Sequence, residues 1–100
     1  MTRTVLLVDV DHQRRRAVHD VLSADAHVDA CADFASARAR LLAHPPQSLA
    51  THHQLGAYNG LHLAHLVRGL QLPTRVVVYG DPGDTGLARE TRTAGAFFVP

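Results

Sequence analysis

The sequence predicts an α/β domain in which five parallel strands form one sheet with helices on both faces. Strand-like and helix-like segments alternate strictly along the chain, the order expected of parallel strands joined by crossover helices. Two strand segments, at residues 4–8 and 75–79, are near-continuous apolar runs too short for helices, as in strands buried on both faces. The length of 100 residues, 46% hydrophobic and 19% charged, suits a single globular core.

Thr4-Val5-Leu6-Leu7-Val8 is the first strand, ended by Asp9-Val10-Asp11. From about His12 to Ser23 a helix follows. Its Ala17, Val18, Val21 and Leu22 recur at helical spacing, while Arg14, Arg15, His19 and Asp20 are expected to face outward. His27–Cys31 alternates as a second strand. Asp33 has the chemistry of an N-cap for a helix with apolar Phe34, Ala37, Leu41 and Leu42, which Pro45-Pro46 stops. Ser48–His52 is the third strand and the one least marked by composition. A loop from His53 to Asn59 contains Gly56 and the Asn59-Gly60 turn signal. Leu61–Leu70 is an apolar helix and Arg75–Tyr79, announced by Pro73, the clearest strand. Gly80-Asp81-Pro82-Gly83-Asp84 is a loop of turn residues, Thr85–Thr93 a short polar helix, and Ala96–Val99 the last strand. Five such strands fit the flavodoxin-like order 2-1-3-4-5, whose functional residues gather at the carboxyl ends of the strands.

Composition removes several function classes. All ten basic residues are Arg, so chemistry that needs a side-chain amine, such as Schiff-base catalysis or a P-loop lysine, is excluded. A net charge of +1 is not the footprint of a nucleic-acid binder, and Arg14-Arg15-Arg16 reads as the exposed side of an amphipathic helix. The single Cys31 can form no internal disulfide and reads as a buried, inert thiol. No signal peptide or apolar run of membrane-spanning length is visible, so a cytoplasmic protein without membrane contact is expected. His62 and His65 lie three apart on a helix, a spacing that can chelate metal but here reads as a solvated face.

Val5-Leu6-Leu7-Val8-Asp9-Val10-Asp11 resembles the first strand and acidic turn of bacterial response-regulator receiver domains. Pro45-Pro46 followed by Leu55-Gly56-Ala57-Tyr58-Asn59-Gly60-Leu61 resembles the family's passage from third strand to third helix. Pro73 to Tyr79 is similar to its fourth strand, and Ala94-Gly95-Ala96-Phe97-Phe98 to the approach to its fifth. The resemblance runs the whole chain in order, so one receiver-like domain is expected over residues 1–100.

A working receiver phosphorylates an Asp at the end of strand three, using Mg²⁺ held by two further carboxylates, a Ser/Thr after strand four and a Lys after strand five. Matched position by position, Asp9 retains the first acidic site and Val10 replaces the second. Asp11 is displaced by one residue, which redirects its side chain. His52 stands at the phosphoacceptor and Gly80 at the Ser/Thr; the Lys has no counterpart. Phe97 and Phe98 are candidates for the aromatic switch. The resemblance therefore implies an atypical receiver that is not an enzyme, needs no metal or cofactor, and acts through a protein partner, an output domain or a second copy. The alternative is a pH-, metal- or ligand-sensing switch in the remodelled pocket. Because the strands carrying them are neighbours, His52 and Asp9 are expected to form an internal ion pair that raises the imidazole pKa. Receivers end in a fifth helix for which this chain has no residues. A longer natural chain is therefore expected, with an apolar sheet face left open here.

Overall fold

The computed structural model describes residues 3–80 and 85–100, so the expected turn chemistry of Asp81–Asp84 lies outside the described residues. Its elements are β1 (Arg3–Val8), α1 (His12–Leu22), β2 (Ala26–Cys31), α2 (Phe34–Ala43) and β3 (Ser48–His52). There follow β4 (Gln54–Leu55), β5 (Tyr58–Asn59), α3 (Gly60–Gly69), β6 (Arg75–Tyr79), α4 (Thr85–Thr93) and β7 (Phe97–Val99). The main sheet is parallel throughout, in the order β2-β1-β3-β6-β7. That is the predicted 2-1-3-4-5 order counted over the five long strands.

Successive residues of a strand point to opposite faces, and here the two faces differ. Leu6, Val8, Leu49, Val76 and Val78 join Ala37 and Leu41 of α2 and Leu63, Ala64 and Val67 of α3 in one buried core. The opposite face carries α1 over β1 and β2. The register aligns Leu7, Ala50, Val77 and Phe97 in one row on that face. Leu7 is fully buried, Ala50 and Val77 are half-buried, and Phe97 is 60% exposed. Coverage thus fades from the strands under α1 towards β7, as an open apolar face requires.

The same fading corrects the predicted stripe of α1. None of its residues is buried; Val18 and Leu22 are half-buried, Ala17 is exposed, and Val21 is 74% exposed. The main contacts of α1 among the described residues are with β2 and β1, and they cover only part of that stripe. On α2, Leu42 is likewise exposed, whereas Ala37 and Leu41 are fully buried.

The caps follow their chemistry. Asp11 accepts from the Arg14 N–H at 2.9 Å, and Asp33 from the Ser36 N–H at 2.7 Å. Asn59 and His62 form a reciprocal capping box, so α3 begins at Gly60 rather than Leu61. The expected loop over His53–Asn59 contains a small antiparallel hairpin, β4–β5, which turns at Gly56 with φ of 68°. Two-residue strands carry no periodicity that a sequence could announce. Gly60 is required by proximity: a Cβ there would lie 2.9 Å from the His52 carbonyl oxygen and 3.0 Å from Thr51 Cγ2. This contact lets α3 start flush against the end of β3.

Candidate functional site

Three strands deliver the site. Asp9 follows β1, His52 ends β3 and Tyr79 ends β6, so all three reach the carboxyl edge of the sheet, with β3 between the other two. His52 and Tyr79 are register partners, and the phenol stands edge-on to the imidazole at 5.4 Å between ring centroids.

Asp9 is fully buried, yet its partner is not His52. The Arg14 guanidinium holds it with a fork, Nε to Oδ2 at 2.7 Å and Nη2 to Oδ1 at 2.8 Å. Tyr79 reaches past His52 to donate its hydroxyl to Oδ2 at 2.7 Å, and the Asp11 N–H donates to Oδ1 at 2.9 Å. Four donors thus saturate one carboxylate. Burial pushes its pKa up, but the hydrogen bonds from Arg14, Tyr79 and the Asp11 backbone outweigh it and hold Asp9 below the usual carboxylate range. The partners respond in kind. The bond to Asp9 raises Arg14, while burial, followed by the bond to Asp9, raises the Tyr79 phenol. Arg15 adds a hydrogen bond from Nη1 to the Asp9 carbonyl at 2.8 Å.

The expected Asp9–His52 ion pair is therefore corrected. His52 is 7% exposed, and its Nδ1 accepts from the Gln54 N–H at 3.2 Å, with the Gln54 carbonyl 3.3 Å from the same atom. Burial lowers its pKa, a shift that Gln54 and Asp9 oppose without reversing. Burial is the largest cause, and the Arg14 guanidinium that pairs with Asp9 lowers it further.

The remaining matched positions are equally specific. Val10 is exposed, and the Asp11 side chain caps α1. A Cβ at Gly80 would lie 2.1 Å from His53 Cδ2, so the His53 imidazole fills the space of a side chain at position 80. His53 also packs against His52, with ring centroids 4.6 Å apart. Phe97 is exposed and Phe98 half-buried. His62 spends Nδ1 on the Asn59 N–H and stands edge-on to Phe34 and Tyr58, which stack at 4.2 Å. Cys31 is buried, and burial pushes its thiol up to about 11.

The donor set does not fit Mg²⁺, the metal that the fold implies. That ion needs several oxygen ligands. Here the one matching carboxylate is saturated, the second position is Val10, and the third is an imidazole. No group of three or more metal-ligating side chains occurs among the described residues.

Arg14 and Tyr79 are the functional residues that sequence reasoning missed. Arg14 fell on the outward side of the predicted helix, yet a signal was present. It is a cation in the first turn of a helix, where the helix dipole disfavours positive charge and a nearby acid must compensate. Tyr79 placed a phenol at the end of an otherwise valine strand, and a phenol in a buried setting needs a partner.

No protein-family model matches the chain, and no curated protein matches it in sequence. Solved structures do match. The signal receiver domain of NarL from Mycobacterium tuberculosis superposes with a TM-score of 0.86 at 25% identity, over 97% of this chain and 82% of that one. A candidate response regulator from Chloroflexus aurantiacus gives 0.90 at 24% identity, over 98% and 83%. The chemotaxis response regulator CheY4 of Vibrio cholerae gives 0.83 at 19%, over 98% and 84%. The chain has the fold of these receiver domains. Among the described residues no helix is long and apolar enough to cross a membrane.

Proposed function

We propose that this chain is an atypical receiver domain of a response regulator, signalling by contact with a protein partner, an output domain or a second copy, without phosphorylation. One observation carries the reading: the carboxylate that a receiver reserves for its metal is neutralised inside the protein by Arg14 and Tyr79. Phosphoryl transfer depends on positioning and charge neutralisation by groups around the phosphate. With a neutral imidazole at His52, Val10 in place of the second acid and the His53 ring over Gly80, those groups are missing. The domain then has no acyl phosphate to form and stays in one arrangement of its pocket.

The test exposes the protein to Mg²⁺ with beryllofluoride or acetyl phosphate and follows backbone amides around Asp9, His52 and Gly80 by NMR. Spectra that do not respond to Mg²⁺ and an unchanged mass support the reading. A specific shift at these residues that requires Mg²⁺, or a mass gain of one phosphoryl group, overturns it. The sensing alternative has one observation in its favour, the second ring nitrogen of His52, which no group among the described residues engages.

A further inference from the structure

We infer that the cavity above Asp9 is a binding site for a small oxyanion, a phosphate monoester or a carboxylate. The cavity holds about 590 Å³ and is lined by Arg14, His52, His53, Gln54 and Tyr79, with Gly80 and Pro100. It shares with the functional reading the premise that Asp9 is closed to cations, and otherwise stands on the donors that line it.

The first donor is His52. The Gln54 N–H points at Nδ1, so the proton of the neutral ring sits on Nε2. That atom has no hydrogen-bond partner among the described residues, although the residue is only 7% exposed. Every fully buried side-chain nitrogen or oxygen among the described residues has a partner, so Nε2 keeps an opening, and the opening is the cavity its ring lines. The second donor is Arg14. A guanidinium has five N–H groups, and Asp9 engages only Nε and Nη2, leaving the Nη1 pair without a partner among the described residues. The half-buried His53 imidazole and the Gln54 side chain complete the lining, and neither makes a side-chain hydrogen bond among the described residues.

The balance of charge selects the ligand. Asp9 is fully buried beneath Arg14 and does not line the cavity, and no other carboxylate side chain among the described residues does. A fixed cation beside two imidazoles repels a metal ion and offers two nitrogen ligands at most, fewer than zinc takes. The same set suits an anion that accepts from Arg14 Nη1 and His52 Nε2 together, because charge-assisted bonds of this kind are the strong ones. Protonation would strengthen the site. The Gln54 carbonyl, 3.3 Å from Nδ1, can accept the second ring proton of a charged His52. The groups around His52 are Arg14 from α1, the neutralised Asp9 after β1, Tyr79 from β6 and the adjoining His53. Of these, Arg14 and His53 oppose its protonation in the empty site, and a bound anion offsets both.

The experiment titrates the protein with inorganic phosphate and, separately, with acetate at constant ionic strength, reading imidazole and guanidinium ¹⁵N resonances. Saturable shifts at His52 Nε2, His53 and Arg14, larger at mildly acidic than at alkaline pH, are expected. The stronger of the two probes identifies the ligand as phosphate-like or carboxylate-like. Arg14→Gln and His53→Ala should each weaken binding about tenfold, the equivalent of about 1.4 kcal/mol. Arg38→Gln, on the exposed side of α2, should leave it unchanged. The half-buried His53 lies outside the hydrophobic core, so His53→Ala keeps the test valid if Arg14→Gln unfolds. Shifts reproduced by chloride at the same ionic strength overturn the site, as does a response to Zn²⁺ in place of the anions. Either result leaves the functional reading standing, whereas phosphorylation by acetyl phosphate overturns that reading alone.

Discussion

Replacing Arg14 by Gln removes two charge-assisted hydrogen bonds, at 2.7 and 2.8 Å, from a carboxylate with no solvent exposure. Bonds to charged groups contribute about 1.5–3 kcal/mol each. The full sum does not apply, because the Arg14 side chain is 40% exposed and solvent screens its half of the pair. Tyr79 and the Asp11 N–H also continue to donate to Asp9 in the variant. We expect a loss of about 2 kcal/mol at neutral pH, or roughly 8–16 °C in Tm for a domain of this size. Urea unfolding measures it, and a double-mutant cycle with Asp9→Asn isolates the pair, with a coupling above about 1 kcal/mol expected. The pH dependence supplies a second check. In the native protein Asp9 lies below its unfolded value, so its contribution is present above the ordinary carboxylate range and is lost as pH falls through the lowered pKa. Without Arg14 the opposition to burial weakens, the carboxyl rises, and that loss begins at higher pH. The gap between the two proteins should therefore close in acid, where Asp9 is protonated in both. A coupling below about 0.5 kcal/mol, or a gap independent of pH, would refute the assignment of Arg14 as the internal cation.

Four further outcomes follow from particular contacts. Gly60→Ala should destabilise by about 1–3 kcal/mol in urea, because its Cβ meets the His52 carbonyl, which belongs to a strand that cannot yield freely. Gly80→Ser should displace the His53 ring, seen as a large imidazole shift by NMR, and pairing it with His53→Ala should restore native stability. The lowered pKa of His52 means that the unfolded chain takes up this proton first. Stability should therefore fall as pH drops below the ordinary histidine value, and His52→Gln should flatten that slope in a series of unfolding curves. Cys31, buried and raised to about 11, should react with a thiol reagent far more slowly at neutral pH than in the urea-unfolded chain.

The fold was legible because it rests on local patterns that tertiary contacts only reinforce. The valines of β6, the aspartate caps of α1 and α2 and the Pro45-Pro46 stop each describe their own neighbourhood. The β4–β5 hairpin escaped because each of its strands is two residues long. The candidate site was legible only in part. His52, Gly80 and Val10 were read from their identity alone, and the structure places the Asp11 side chain at the α1 cap. The new partners of Asp9 were not announced in the same way. A helical pattern places Arg14 outward, but the first turn of α1 leans over the strand ends. There a long flexible side chain can bend back to a carboxylate that has no other neutraliser.

The sequence by itself determined the order and kind of the long elements, the sheet they form, and the residue types at the strand ends, a valine at 10, a histidine at 52 and a glycine at 80. Those are properties of residue type and periodicity, which no packing can change. The tertiary structure alone decided which cation neutralises Asp9 and which way the pKa of His52 moves. Both depend on distances of a few ångströms between groups far apart in the chain, Asp9 to Tyr79 above all. A buried carboxylate accepts the best-placed donors, and a guanidinium with two aligned N–H groups and a phenol reached it where an imidazole held by Gln54 did not.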